Sequence, residues 1–176
     1  VRERVGGRAE RIAVSKTKPA ELVAAAHAAG HRHFGENYAQ ELVAKAPLLP
    51  ADVRWHFIGH LQTNKVKELL AVPNLACVHT VDSLKLAREL DKRSAALRAG
   101  EPLDVMVQVN TSAEGNKSGC APEECVELCH EVSASCASLR LAGLMCIGKY
   151  SADEGGAADD FACLVRCRAL VAASVR

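Results

Sequence analysis

The sequence lacks the features that would tie it to a polyanion or to a lipid bilayer. Its 176 residues carry 22 lysines and arginines against 21 acidic residues, a formal net charge of +1. Such a balance provides no broad basic surface for nucleic acid or anionic lipid, so any anion site must be local. No apolar run approaches the roughly 20 residues of a membrane-spanning helix, and residues 1–10 are charged, unlike a signal peptide. These absences predict a cytoplasmic protein without nucleic-acid or membrane partners.

Common ligand and crosslink motifs are also missing. No G-x-G-x-x-G follows the first predicted strand, and no Walker-type loop is present, which removes the usual nucleotide signals. Eight cysteines are present, but none forms a C-x-x-C pair. The absence of this spacing disfavours a zinc site built from Cys120, Cys125, Cys129 and His130. The placement of Cys125, Cys129 and Cys136 on one face of a predicted helix instead indicates buried core thiols.

Strand-like and helix-like segments alternate six times along the chain. The predicted strands cover residues 11–15, 32–34, 54–58, 75–81, 103–110 and 139–147. The predicted helices cover residues 19–29, 38–46, 61–71, 83–98, 122–136 and 161–174, with Asp82 as the N-cap of the fourth. Connections of helix length indicate parallel strands.

At about 27 residues per βα unit, an eight-unit barrel would need about 220 residues. The chain is therefore predicted to be a single α/β domain, a parallel (β/α) barrel with about six of its eight units. A doubly wound sheet is the alternative, but the sequence lacks the dinucleotide-binding motif that is typical of that fold.

Polar residues gather where the predicted strands end, at the edge where α/β folds usually place their chemistry. Lys16 and Lys18 follow the first strand, Asn37 follows the second, and Lys117 lies in the glycine-bearing loop after the fifth. Burial against the strand ends and the neighbouring charge of Lys18 would leave the Lys16 amine neutral and nucleophilic. A solvated lysine pair is the simpler interpretation of spacing alone. His56, between two aromatic residues, is by itself more typical of a buried core histidine.

Five segments are more specific together than any of them is alone. They are AVSKTKP at residues 13–19, HRHFGENYAQE at 31–41, WHFIGHLQTNK at 55–65, VQVNTSAEGNKSG at 107–119 and LRLAGLMCIG at 139–148. In this order they resemble the pyridoxal phosphate homeostasis protein family. The resemblance implies an alanine-racemase-type barrel that holds pyridoxal 5′-phosphate (PLP) as a Schiff base and serves intracellular PLP homeostasis without clear turnover. PLP-dependent apoenzymes are the implied partners. A racemase-like enzyme and a scaffold that has lost PLP are the alternatives.

The resemblance also assigns cofactor contacts to individual residues. Lys16 matches the Schiff-base lysine, the first lysine of the family's S-K-T-K-P motif. The other matched residues are Lys18, Asn37, His56, Lys117 and Met145. The resemblance implies no catalytic residue and no metal site, and neither of the two tyrosines lies in a recognisable catalytic motif.

In the family, two further strands carry a G-M-S segment and a V-R-I-G-[TS] segment, which bind the cofactor's phosphate and ring nitrogen. Neither segment occurs in these 176 residues. Because each charge-assisted hydrogen bond contributes about 1.5–3 kcal/mol, a polypeptide limited to this sequence is expected to retain PLP weakly. Its first and sixth strands would offer edges for association, whereas a complete barrel is expected to be a monomer.

Overall fold

The computed structural model describes residues 9–112, 118–149 and 156–174. Within them, the strands are β1 (Ala13–Val14), β2 (His33–Glu36), β3 (Arg54–Phe57), β4 (Leu75–Val81), β5 (Leu103–Gln108) and β6 (Leu139–Met145). The helices are α1 (Ala20–Ala28), α2 (Ala39–Lys45), α3 (Val66–Leu70), α4 (Leu84–Leu97), α5 (Cys125–Ser135) and α6 (Gly156–Ser174). None of these described helices combines the length and apolarity needed to cross a membrane.

The strands form one parallel sheet in the order in which they occur in the chain. Each strand pairs in parallel with its successor, from β1 to β6. This order is typical of a (β/α) barrel, whereas a doubly wound sheet reverses direction from a central strand. The predicted parallel α/β architecture is therefore confirmed. Within the described residues, β1 and β6 are the two edges of the sheet.

Several helix starts differ from the sequence prediction, and two of these differences have a local cause. The N-cap of α4 is Ser83, not Asp82, because the Ser83 hydroxyl accepts the backbone N–H of Leu86 at 3.4 Å. An N-cap side chain accepts an N–H two or three residues later, and Asp82 lies four residues before Leu86. The predicted helix at 61–71 is reduced to α3, preceded by a 3₁₀ turn over Thr63–Lys65. Short polar side chains such as Thr63 favour turns over helix interiors.

Alternation along the strands gives the sheet one helix-covered face and one inner face. Phe34 and Trp55 are in register on the helix-covered face, and both are almost fully buried. The inner face is defined by the row of residues in register across all six strands. This row consists of Val14, Gly35, His56, Cys77, Asp104 and Arg140. The inner face is therefore rich in polar and ionisable groups, while the apolar core lies under the helices.

The structure confirms the interpretation of the cysteines as core thiols. All eight are free, and Cys125, Cys129 and Cys136 are buried. His130 is exposed, because its position in α5 turns it away from the face that carries Cys129. His130 therefore does not share the buried face that carries Cys125 and Cys129.

Candidate functional site

Lys16 lies two residues beyond β1, at the carboxyl edge of the sheet. Its side chain is exposed, as is that of Lys18. The expectation that strand ends bury the Lys16 amine is therefore wrong for this structure. The reason is that β1 is an edge strand of two residues, and Val14, which precedes Lys16 on the same face, is itself 53% exposed. The amine is accessible to a ligand from solvent.

The backbone on both sides of Lys16 is fixed by charged side chains of α2. On one side, Lys45 Nζ donates to the carbonyl oxygen of Ser15 at 2.7 Å. On the other, the backbone N–H of Thr17 donates to Glu41 Oε1 at 2.7 Å. Thr17 has a φ of 62°, a left-handed conformation that costs a non-glycine residue about 1–3 kcal/mol and persists only where its surroundings hold it. The loop thus presents Lys16 in one defined backbone conformation.

Lys45, which holds the Ser15 carbonyl, is also the centre of a buried charge network between β2 and α2. Lys45 Nζ lies 2.6 Å from Glu36 Oε1 and 2.6 Å from Glu41 Oε1. The Ser15 hydroxyl also donates to Glu36 Oε1, at 2.7 Å. Glu36 is fully buried, so the desolvation of these charges offsets much of their attraction. The network therefore does more to fix the position of the Lys16 loop than to stabilise the fold.

Asn37 lies beside Lys16 at the carboxyl edge, since register pairs Val14 with Gly35 two residues earlier on each strand. The side-chain oxygen of Asn37 is buried and has no hydrogen-bond partner among the described residues. Leaving such an acceptor unsatisfied costs about 1–3 kcal/mol. Gly59 packs against the same segment, where a Cβ would lie 2.0 Å from the Asn37 carbonyl oxygen. The Asn37 backbone is therefore tightly packed, and its side-chain oxygen lacks a partner among the described residues.

His56 belongs to a hydrogen-bonded row of histidines on the inner face. His56 Nε2 lies 2.9 Å from His33 Nδ1, and His56 Nδ1 lies 2.8 Å from His79 Nε2. The row ends at Glu10, whose Oε1 lies 2.8 Å from His33 Nε2. Burial lowers the pKa of all three imidazoles, and burial together with the two neighbouring histidines lowers the pKa of His56 to about 3. His56 is therefore a neutral group at pH 7.

Met145 and Lys117 are the remaining predicted contacts. Met145 is the last residue of β6 and pairs with Gln108. Since β1 and β6 are opposite edges of the sheet, four strands separate Met145 from Lys16 along the sheet. Lys117 lies outside the described residues. The structure brings Lys16 and Asn37 together, with Lys18 close by in the chain. His56 lies one residue pair deeper on the inner face. Met145 lies on the strand at the other edge of the sheet.

Sequence reasoning missed both polar networks. A signal for the first was present, because Glu36 shares the buried parity of Phe34 in a strand, and a charge at such a position requires a partner. Its partner Lys45 follows nine residues later, too far for a local pattern to identify. For the histidine row, the sequence showed only that His79 shares a face with Cys77, two residues earlier in the same strand. It did not show that His56 of the preceding strand lies beside His79.

Acid is expected to destabilise the folded chain through the histidine row. An imidazole whose folded pKa is about 3, below its ordinary value of about 6.5, binds its proton preferentially in the unfolded state. The contribution of His56 to stability is therefore complete above pH 6.5 and is lost as the pH falls toward 3. The loss between pH 7 and pH 5 should be about 1–2 kcal/mol.

Urea unfolding at pH 7 and pH 5, in a buffer with a metal chelator, measures this loss. His56→Gln should flatten the pH dependence, and His130→Gln, at an exposed position of α5, should leave it intact. Equal urea midpoints at both pH values for the unsubstituted chain would contradict the expectation.

The whole chain, residues 1–176, matches the family model of the alanine racemase N-terminal domain. The pyridoxal phosphate homeostasis protein of Mus musculus is 47% identical over 163 residues, which are 89% of this chain and 60% of that protein. The protein of the same name from Pseudomonas aeruginosa is 48% identical over 145 residues, covering 81% of this chain and 60% of that protein. The chain thus spans about 60% of the length of these curated relatives.

Solved structures of related proteins are also similar to this chain. PipY, the COG0325 family member of Synechococcus elongatus, has been solved with PLP bound. It superposes with a TM-score of 0.84 at 31% identity, covering 98% of this chain and 79% of that one. An alanine racemase from Streptomyces coelicolor superposes with a TM-score of 0.76 at 24% identity, covering 99% of this chain and 47% of that one. The second likeness shows the fold alone, and it confirms the predicted alanine-racemase type.

Proposed function

The chain belongs to the pyridoxal phosphate homeostasis protein family, within the alanine racemase N-terminal domain group, and from this membership we propose that it binds PLP as a Schiff base on Lys16 and serves PLP homeostasis. The observation that most directly supports the proposal is the position and exposure of Lys16. Its amine is exposed at the carboxyl edge of the sheet, on a loop whose backbone is held at both neighbouring residues. A relative of the same fold, PipY, has been solved with PLP bound.

The side chains at this edge fit the chemistry of the cofactor. When bound, PLP supplies an aldehyde that a lysine amine can attack. Lys16 offers that amine, and Lys18 adds a positive charge suited to a phosphate dianion. The buried, unpaired oxygen of Asn37 offers an acceptor to a donor on the ligand. We propose His56, Lys117 and Met145 as further contacts on the ground of the family resemblance.

We further propose that the chain holds PLP without turning over a substrate. The relatives are named for homeostasis rather than for a reaction. A racemase needs a second base opposite the lysine, and Tyr38, the tyrosine that lies within the described residues, is 55% exposed just before α2. Deuterium exchange at Cα of amino acids measures this directly, and exchange above that of free PLP, lost in Lys16→Ala, would favour the enzyme. The apoenzyme partners and the cytoplasmic location stay predictions from the sequence.

The decisive experiment is reductive trapping. The chain is mixed with equimolar PLP, reduced with borohydride, digested and mapped by mass spectrometry. We expect one dominant adduct in the peptide that contains Lys16, while a urea-unfolded sample treated alike should label its lysines evenly. No adduct, or an even distribution over the exposed lysines of the folded chain, would overturn the proposal.

A further inference from the structure

Two nitrogen donors and one sulfur donor converge on the inner face of β3 and β4. The residues are His56, Cys77 and His79, and one ligand atom from each lies within 4.8 Å of the other two. Register pairs His56 with Cys77 across the two strands, and His79 shares the face of Cys77 two residues further on. All three residues are at least nine-tenths buried. We propose that these three side chains form a transition-metal site whose preferred ion is Zn²⁺.

The donor set selects the class of ion. Imidazole nitrogen and thiolate sulfur are ligands of zinc and of neighbouring thiophilic metals, whereas Mg²⁺ and Ca²⁺ require oxygen donors. Zinc bonds of about 2.0–2.3 Å place the donors of a tetrahedral site about 3.3–3.7 Å apart. The 2.8 Å between His56 Nδ1 and His79 Nε2 would widen by about half an ångström, a small side-chain rotation. Three protein ligands leave a fourth position for water or another ligand.

The hydrogen bonds of the histidine row provide the lone pair that a metal needs. The Glu10 carboxylate can only accept, so His33 donates its Nε2–H to it and keeps an unprotonated Nδ1. That nitrogen accepts the Nε2–H of His56, which leaves a lone pair on His56 Nδ1. Metal-binding histidines commonly donate their other N–H to such an outer partner, which fixes the ring and its tautomer. His33 and Glu10 therefore act as positioning residues for His56.

The proton balance of binding is simple. His79 moves its proton from Nε2 to Nδ1, which frees Nε2 for the metal without a net change. The Cys77 thiol loses its proton to solvent as the sulfur–metal bond forms, so one proton is released per ion. Burial and the nearby charge of Asp104 raise the pKa of the Cys77 thiol to about 12 in the absence of metal. The charge of a bound ion stabilises the thiolate, so a coordinating cysteine gives up its proton.

Cobalt titration of the 176-residue chain without PLP tests the site. Co²⁺ is added to the reduced chain and followed by absorption, because bound cobalt reports tetrahedral geometry and sulfur ligation separately. We expect one equivalent to bind with a sulfur-to-metal charge-transfer band, and Zn²⁺ to displace it. Cys77→Ser should remove that band, and His79→Gln should weaken binding by more than about tenfold. Glu10→Gln should weaken it less, since Glu10 acts through His33.

The matched control is Cys125→Ser, which removes a buried thiol of α5 and should leave the titration unchanged. Circular dichroism verifies that each variant is folded, and the two ligand variants serve as independent tests if one is not. A chain without the sulfur band, an unchanged titration in a folded ligand variant, or loss of the band in Cys125→Ser would overturn the proposal. None of these outcomes depends on PLP binding.

Discussion

Replacing Lys16 with alanine is expected to reduce the borohydride-trapped PLP adduct by more than about tenfold, because a Schiff base requires a primary amine in place. No neighbouring amine can substitute at the same position. Lys18 lies beyond a tight turn, in which its backbone N–H donates to the Ser15 carbonyl at 3.1 Å, so its side chain starts from a different point of the loop. The measurement is the adduct yield per chain, from intact mass before digestion and from peptide mapping after it.

The matched control is Lys67→Ala, which removes an exposed lysine from α3. Its adduct yield should equal that of the unsubstituted chain. Lys18→Ala should keep the adduct on Lys16 but lower the yield at limiting PLP, since it removes a positive charge near the phosphate. If Lys16→Ala is trapped as efficiently as the unsubstituted chain, the assignment of the Schiff-base lysine is wrong.

Replacing Lys45 with methionine is expected to lower the free energy of unfolding by about 3–5 kcal/mol. The substitution leaves the carboxylate of Glu36, which is fully buried, without its opposite charge. It also removes the donor to the Ser15 carbonyl, so the Lys16 loop loses one of its two anchors. Urea unfolding at pH 7 measures the change. With a slope of about 2 kcal/mol per molar urea, the midpoint should fall by about 2 M.

A surface pair provides the comparison for this variant. Lys65 and Glu68 form an ion pair at 3.0 Å in which both side chains are a third exposed. Lys65→Met should cost less than about 1 kcal/mol, because solvent screens exposed pairs. Adding Glu36→Leu to Lys45→Met should recover part of the loss, since the double variant buries no unpaired charge. Equal costs for Lys45→Met and Lys65→Met would show that the buried network has no special role.

The sequence predicted the architecture because its information is local. Alternating strand and helix patterns, and connections long enough for helices, are sufficient to specify a parallel sheet. Leu75–Val81 was predicted with its observed bounds. Even β1, with two paired residues, could be located from the residues around Lys16, although its length could not. An edge strand has one neighbour, so its length depends on how far that neighbour extends.

The sequence by itself determined the order of the elements, the family and the lysine that stands at the end of β1. Only the tertiary structure decided that Lys16 is exposed and that Lys45 holds its loop. It alone brought His56 beside Cys77 and His79. The physical reason is that a strand's pattern fixes which face a residue is on, but not which residue of the next strand it lies beside. That pairing is set by the register of the strands across the whole sheet, and it decides which side chains are in contact.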